Sequence, residues 1–484
     1  MHLIKIIKRF SFSALIAVNT VYLLHSISIE QKFHIQQQIE SLITTVDPNA
    51  HVGIEIISLK DQQTVYQKNS DHLFIPASSL KLFTCAAALY YLGPDYKFTT
   101  QLTTDGIIQN GILVGNLYLK GNGDPTLTTQ NLQTLVNHLS ALGITAIEGN
   151  ICLDTSAFDE LPFGPGWIWD EGAASYNSPI NALTVNHNCI KLLLTPTIPG
   201  QKPHALLNPT TSFVRIYNNA ITTDTPITEP LKITRAWLTH DNSITITGQI
   251  PHDAPAKDYE CTMEEPALYA GTMLKELLQA ASITVNGLVI QKPIPVDVLL
   301  LASHASEPLL KIIDPLLKNS DNLYAESLFK KLGQVRYNTT GSWQAGKKAL
   351  SDFMSRILSI SNDQYVIADG SGCSRYNLIA PHHLVTLLQW IAQDPQRYEQ
   401  FLDLLPAPGG QGTLKDRLTD YTDLVSIRAK TGTMSGVSAL AGFITTKSHE
   451  HLAFTIMING VTKPVKEYKL NLEDPVCRIL AAIN

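Results

Sequence analysis

The sequence predicts a mixed α+β fold: one helix-and-sheet domain, an antiparallel sheet flanked by helices, built from both ends of the chain and carrying a large β-rich insertion. Three observations predict it. Strand-like apolar runs lie near opposite ends, at residues 52–59 and again at 439–444 and 452–458. Helical periodicity fills residues 266–281, 308–317 and 323–332, ahead of the second group of strands. From about 96 to 260, short stretches such as Leu117-Tyr118-Leu119 and Ile244-Thr245-Ile246-Thr247 are broken by Gly, Pro, Asn and Asp, the pattern of mainly antiparallel sheet.

Taken in order, the chain opens with Lys5, Lys8 and Arg9 before a mostly apolar run over 10–24, and Ser26 and Ser28 suit a cleavage site. Residues 1–28 are therefore expected to be a secretory signal. The alternative is an uncleaved anchor, since the apolar character approaches the roughly 20 residues a membrane span needs. Ser11, Ser13, Asn19 and His25 make the run a poor span. A short helix is expected over 35–45, then the strand 52–59, a turn at Asp61-Gln62-Gln63 and a partner strand. Pro76 stops the extended segment, and Ser78 opens a helix to about Leu92, before Gly93. A final helix is expected at 475–482. The domain division that follows is 29–95 with 264–484 as one unit and 96–263 as the insertion, in one or two lobes beside the cleft.

The formal net charge of −6 and the absence of a basic block argue against nucleic-acid binding, which needs phosphate neutralisation. Cys85, Cys152, Cys189, Cys261, Cys373 and Cys477 are too sparse for a disulfide scaffold, and their pairing stays open. Cys85 sits in an apolar helical run and is expected to be buried. No CxxC and no His/Cys cluster has metal-ligand spacing, so no metal or cofactor is expected.

Chemistry concentrates in three polar motifs: Ser78-Ser79-Leu80-Lys81, Ser320-Asp321-Asn322 and Lys430-Thr431-Gly432. Together they supply a nucleophile, two amines and a relay hydroxyl, the parts of acyl transfer through a serine. Lys81, three residues after Ser78, shares its helix face, so the amine can approach the hydroxyl. A serine is unreactive until a base takes its proton. Lys81 can be that base if burial and a neighbouring positive charge, supplied by Lys430, lower its proton affinity. Ser320-Asp321-Asn322 also reads as a helix-capping turn before Leu323, and Lys430 as a strand-edge lysine before a turn.

The surroundings Pro76-Ala77-Ser78-Ser79-Leu80-Lys81-Leu82, Ser320-Asp321-Asn322-Leu323-Tyr324-Ala325-Glu326 and Ala429-Lys430-Thr431-Gly432-Thr433 resemble the signatures of the penicillin-binding D-alanyl-D-alanine carboxypeptidase/endopeptidases, the S13 peptidases. Gly121-Asn122-Gly123-Asp124-Pro125, Gly166-Trp167-Ile168-Trp169-Asp170, Asp369 through Arg375 and Gly412-Thr413-Leu414 extend the resemblance over roughly residues 35–480. The long stretch from Lys81 to Ser320 is similar to this subclass rather than to β-lactamases. Cys373 stands where the family usually has leucine; if exposed, its thiol could oxidise.

The resemblance implies a serine β-lactamase/transpeptidase-like domain, peptidoglycan stem peptides and cross-links as substrates, β-lactam antibiotics as covalent inhibitors and a periplasmic location. It implies Ser78 as nucleophile, Lys81 as base and Lys430 as the charge that attracts the substrate terminus. Ser320 would relay a proton from Lys81 to the leaving nitrogen, and Asn322 would hold Lys81 and the substrate amide. Thr431 and Thr433 would meet the terminal carboxylate, Gly432 would admit the substrate backbone, and the N–H groups of Ser78 and Thr433 would form the oxyanion hole. Asp154 would contact an amine of the substrate side chain. Membrane association beyond the periphery is not expected. Two rivals remain: a serine β-lactamase of the same fold, which needs a glutamate to position water, and a non-catalytic peptidoglycan-binding envelope protein, which would have lost Ser78 or a lysine.

Overall fold

A computed structural model describes residues 27–420 and 426–483. The two ends of the chain meet in one five-stranded antiparallel sheet ordered Thr64–Lys68, His51–Ser58, His451–Asn459, Val437–Thr445, Ser426–Met434. His51 pairs with Asn459, so strands hundreds of residues apart share a register, and Thr433 pairs with Ser438 across the hairpin that follows the edge strand. The sheet is buried on both faces because its alternating positions serve two cores. Leu440, Ile444, Phe454 and Ile456 pack with Ile35, Ile39, Val476 and Leu480 of the terminal helices. Ala441, Phe443, Ala453 and Met457 belong to the core formed with Leu82, Phe83, Leu328 and Phe353.

On that second face the Lys81–Leu92 helix packs against the Leu309–Asn319, Asn322–Tyr337 and Trp343–Arg356 helices. The expected helices at 78–92, 308–317, 323–332 and 475–482 are all present with shifted ends. Trp343–Arg356, Pro381–Ala392 and Pro395–Leu404 are helices that the sequence reading did not anticipate.

The insertion differs from expectation in extent. Its five-stranded sheet runs Val289–Gln291, Ile151–Asp154, Leu117–Lys120, Thr99–Thr104, Leu299–Ala305. Thr99–Thr104 pairs antiparallel with Leu299–Ala305, and the Pro266–Ala280 helix packs on the strands Ile151–Asp154 and Val289–Gln291. A boundary between 263 and 264 therefore cuts through one unit; the inserted elements run from about Thr99 to Ala305. The helical periodicity at 266–281 belongs to a helix covering an inserted sheet, and local pattern cannot say which core a helix serves. One apolar core runs from Leu102 and Leu119 through Leu192 and Ile246 to Leu274. The unit is also less antiparallel than expected: Leu117–Lys120 pairs parallel with Ile151–Asp154, which pairs parallel with Val289–Gln291.

The expected signal, 1–28, lies almost wholly outside the described residues. Ser28 caps the Ile29–Val46 helix in a reciprocal capping box with Gln31, so cleavage after Ser28 would remove that cap. Among the described residues, no helix is long and apolar enough to cross a membrane. All six cysteines are free, and Cys85 is buried as anticipated.

Candidate active site

Ser78 lies in a 3-10 turn, Ala77–Leu80, that leads directly into the Lys81–Leu92 helix. Ala77 has φ of 46°, a left-handed conformation that costs a residue with a Cβ about 1–2 kcal/mol. The turn is held by Ser79, whose amide and hydroxyl both donate to Pro76 O, at 3.3 and 2.8 Å. From the other side, Gly372 with φ of +84° packs so closely that a Cβ there would sit 1.9 Å from Ala77 O.

Helical geometry puts Lys81 one turn above the nucleophile, with Nζ 2.8 Å from Ser78 Oγ. Its other partners are Asn322 Oδ1 at 2.6 Å and Ser371 O at 2.8 Å. A neutral amine has two N–H groups and one lone pair. Asn322 and Ser371 can take the two N–H groups, which leaves the lone pair for the Ser78 hydroxyl proton.

Ser371 O is fixed by two buried carboxyl groups, Glu326 and Asp369, to which the sequence motifs alone assign no role. Glu326 lies one helical turn beyond Asn322 and accepts from the amides of Gly370 at 3.0 Å and Ser371 at 2.6 Å, and from Trp343 Nε1 at 2.8 Å. Asp369 accepts from the amides of Gly372 at 2.9 Å and Ser374 at 2.6 Å. Glu326 is pushed up to about 7, by burial first and by the nearby charge of Asp369 second. A carboxylate on a wholly buried helix face was the available signal for Glu326.

Ser320 and Asp321 divide two tasks. Ser320, with φ of 62°, ends the Leu309–Asn319 helix, while Asp321 caps the next helix through Tyr324 N at 2.9 Å. Asp321 thus takes the structural role expected of it. Ser320 Oγ accepts from Lys430 Nζ at 2.8 Å, so this hydroxyl is tied to Lys430, whereas the expected relay linked it to Lys81. Lys430 also donates to Thr431 O at 2.8 Å.

Both lysines are buried. Burial lowers the Lys81 pKa against the opposing influence of Cys373, Asp369, Glu326 and Asp321. Lys430 is pushed well below the usual lysine range, by burial and then by the charge of Lys81. Acidic side chains cluster on the Lys81 side of the pair, whereas the charge acting first on Lys430 is that of Lys81 itself.

The Ser426–Met434 strand is the outer edge of its sheet and forms one wall of the cleft. At Gly432 a Cβ would sit 2.8 Å from Pro76 O and 3.1 Å from Ser78 N, so only glycine lets this strand lie against the nucleophile turn. Thr431 Oγ1 donates to Thr413 Oγ1 at 2.7 Å, and Thr433 Oγ1 accepts from Lys469 Nζ at 2.6 Å.

The cleft has a volume of about 510 Å³ and is lined by Ser78, Ser320, Asn322, Thr431 and Thr433. Trp167, Glu171 and Tyr176 line it from the insertion, which the sequence reading placed only beside the cleft. Trp167 Nε1 donates to Asp369 Oδ2 at 2.9 Å, and Asn322 Nδ2 donates to Tyr176 O at 2.9 Å. Asp154 is absent from the residues lining this cleft: it is buried at the end of an inserted strand, where Oδ1 accepts from Ser156 N at 2.9 Å. Cys373 lines the cleft, yet burial pushes its thiol up to about 12, so it stays protonated at neutral pH.

The sequence profile of the D-Ala-D-Ala carboxypeptidase 3 (S13) family matches residues 35–482. A D-alanyl-D-alanine carboxypeptidase of Actinomadura sp. (strain R39) is 32% identical over 426 residues, covering 85% of this chain and 78% of the relative. The crystal structure of penicillin binding protein 4 from Haemophilus influenzae superposes with a TM-score of 0.81 at 28% identity, over 92% of this chain and 99% of that one. A second structure of that protein, complexed with a β-lactam, gives a TM-score of 0.74 at 27% identity over 92% and 98% of the two chains. With Ser78, two buried amines and the Ser320 hydroxyl assembled at one cleft and this match along nearly its whole length, the chain belongs to the D-Ala-D-Ala carboxypeptidase 3 (S13) family of serine-type carboxypeptidases.

Proposed function

We propose that the protein hydrolyses the terminal D-alanyl-D-alanine bond of peptidoglycan stem peptides, and D-alanyl cross-links, through an acyl-enzyme on Ser78. The observation that carries this reading is Lys81 Nζ, 2.8 Å from Ser78 Oγ, with two fixed oxygen acceptors for its remaining hydrogens. The substrate backbone adds along the open edge of the Ser426–Met434 strand, and its terminal carboxylate lies towards Thr431, Thr433 and Lys430.

That carboxylate also sets the protonation state. An anion beside Lys430 raises that amine's affinity for the proton the two lysines share, which leaves Lys81 neutral and ready to act as base. Lys81 takes the Ser78 proton as Oγ attacks the carbonyl carbon. The N–H groups of Ser78 and Thr433 receive the oxyanion. The C–N bond then breaks, and the leaving amine takes its proton from the Lys430–Ser320 pair, releasing D-alanine and leaving an ester on Ser78. Water attacks the ester and gives its proton to the Lys430–Ser320 pair, which lost one to the leaving amine; the acyl–Oγ bond then breaks, and Lys81 returns its proton to Ser78 Oγ.

β-Lactams fit the same site as substrate mimics whose ester on Ser78 persists. The basic start and apolar run of the N-terminal segment support export to the periplasm, where peptidoglycan lies. The test is mass spectrometry of products from defined muropeptides, monomeric and cross-linked, with wild-type protein and Ser78→Ala. Loss of one D-alanine from monomers by wild type alone is the expected result; intact pentapeptide after long incubation overturns the reading.

A further inference from the structure

The Asn322–Tyr337 helix buries two consecutive lysines whose charges are treated differently. Lys330 Nζ donates to Asp159 Oδ1 at 2.6 Å and Leu161 O at 2.8 Å, and lies 3.6 Å from the centre of the Trp343 ring. Lys331, only 2% exposed, donates to Asn122 Oδ1 and Gln334 Oε1, both neutral amide oxygens. The charge acting on Lys331 is that of Lys120, another cation, and burial with that repulsion pushes its pKa down to about 7. Whenever the amine is protonated it has three N–H groups, so these two acceptors leave one without an oxygen partner, and the Phe98 ring centre lies 5.8 Å from Nζ. A buried cation without a counter-charge is far costlier than a paired one, and a methionine would fill the same volume at no electrostatic cost.

Lys331 also lines a cavity. It has a volume of about 810 Å³, too large for a lone ion, and lies between the inserted sheet and the helix. Thr99, Lys120, Asn122, Ser156 and Thr339 line it as well, so the wall offers hydroxyls, amides and two amines. None of the residues lining the Ser78 cleft takes part. Asn122 comes from Gly121-Asn122-Gly123-Asp124-Pro125, a motif for which the chemistry at Ser78 has no use.

We propose that this cavity is a second ligand site, separate from the Ser78 cleft, for a carboxylate-bearing polar molecule of amino-sugar or dipeptide size. The carboxylate meets Lys331 at the base of the cavity and Lys120 at its side, and the hydroxyl-bearing body meets Thr99, Ser156 and Thr339. Binding restores the missing counter-charge and uses the remaining N–H of Lys331.

The experiment is calorimetric titration of the full-length protein with N-acetylmuramic acid, its uncharged relative N-acetylglucosamine and inorganic phosphate, with hydrogen–deuterium exchange to locate any binding. N-acetylmuramic acid is expected to bind and to protect peptides spanning 99–104, 117–124 and 331–340, and N-acetylglucosamine to bind at least tenfold more weakly. Lys331→Met should abolish binding while raising the melting temperature. Should that variant not fold, Lys120→Glu, at a half-buried position, reverses the neighbouring charge and should weaken binding at least tenfold. Absence of binding, protection confined to the Ser78 cleft, or unchanged affinity in both variants overturns the proposal. Phosphate binding without N-acetylmuramic acid binding overturns the carboxylate assignment.

Discussion

Lys430 Nζ donates to Ser320 Oγ at 2.8 Å, joining the third sequence motif to the second, while Lys81 of the first motif is joined to Asn322 at 2.6 Å. The two amines thus bond to different residues of Ser320-Asp321-Asn322, Lys81 to Asn322 as well as Ser78 and Lys430 to Ser320.

A β-lactam should form a long-lived adduct on Ser78. Intact-mass measurement and peptide mapping check this. Label on another residue, or drug turnover at β-lactamase rates, would move the site or favour the rival activity.

Replacing Lys81 with alanine should lower the acylation rate by about 10²–10⁴-fold, the contribution of a positioned base, with an unchanged circular dichroism spectrum. In the wild type the rate should rise with pH through an apparent pKa below the ordinary lysine value of 10.5, because Lys81 acts only when neutral and its pKa is lowered in the fold. Removing Lys430 takes away a neighbouring positive charge, so the acid limb of Lys430→Ala should move to higher pH. Stopped-flow acylation across the pH range reads both.

Lys430 should also cost stability. Its folded pKa is lowered below 10.5, so below that pH the unfolded chain binds the proton more tightly, and stability rises as pH climbs towards 10.5. Lys430→Met should therefore raise the melting temperature at neutral pH by a few degrees in scanning calorimetry while acylation falls. A lower melting temperature would show that the amine's hydrogen bonds outweigh its desolvation.

Gly432→Ala places a methyl group 2.8 Å from Pro76 O and 3.1 Å from Ser78 N. The strand must retreat from the nucleophile turn, and a displacement of about 1 Å costs on the order of a hundredfold in rate. Acylation should fall by about that much with only a small change in melting temperature; an equal loss of both would mark the glycine as a folding requirement.

Deleting residues 96–263 leaves Leu299–Ala305 without its partner Thr99–Thr104 and the Pro266–Ala280 helix without its sheet. That variant should aggregate. A deletion from Thr99 to Ala305 should retain a folded core by circular dichroism, yet react more slowly with β-lactams, because Trp167 no longer holds Asp369 and Tyr176 no longer holds Asn322. Unimpaired acylation would confine the insertion to substrate selection.

What the sequence determined by itself is chemical and local. Ser78 and Lys81 share a helix face because three residues make nearly one turn, and Asp321 caps a helix because an acceptor stands ahead of Tyr324. The apolar runs at 52–59, 439–444 and 452–458 marked the strands of the central sheet, since a strand buried on both faces needs apolar residues throughout. Tertiary structure decided the rest, since it depends on groups brought together from far along the chain. The Lys430–Ser320 bond spans 110 positions, and the strand pairing that sets the insertion's true end spans about two hundred. The proton affinity of Lys81 depends on its burial and on the acidic groups of Asp369 and Glu326 folded beside it. Asp154 shows the same dependence: its residue type suits an amine, but the strand that carries it buries the carboxylate, which does not line the cleft. Periodicity and motif read which groups a segment can offer; burial and long-range contact decide what each group meets, and hence what it does.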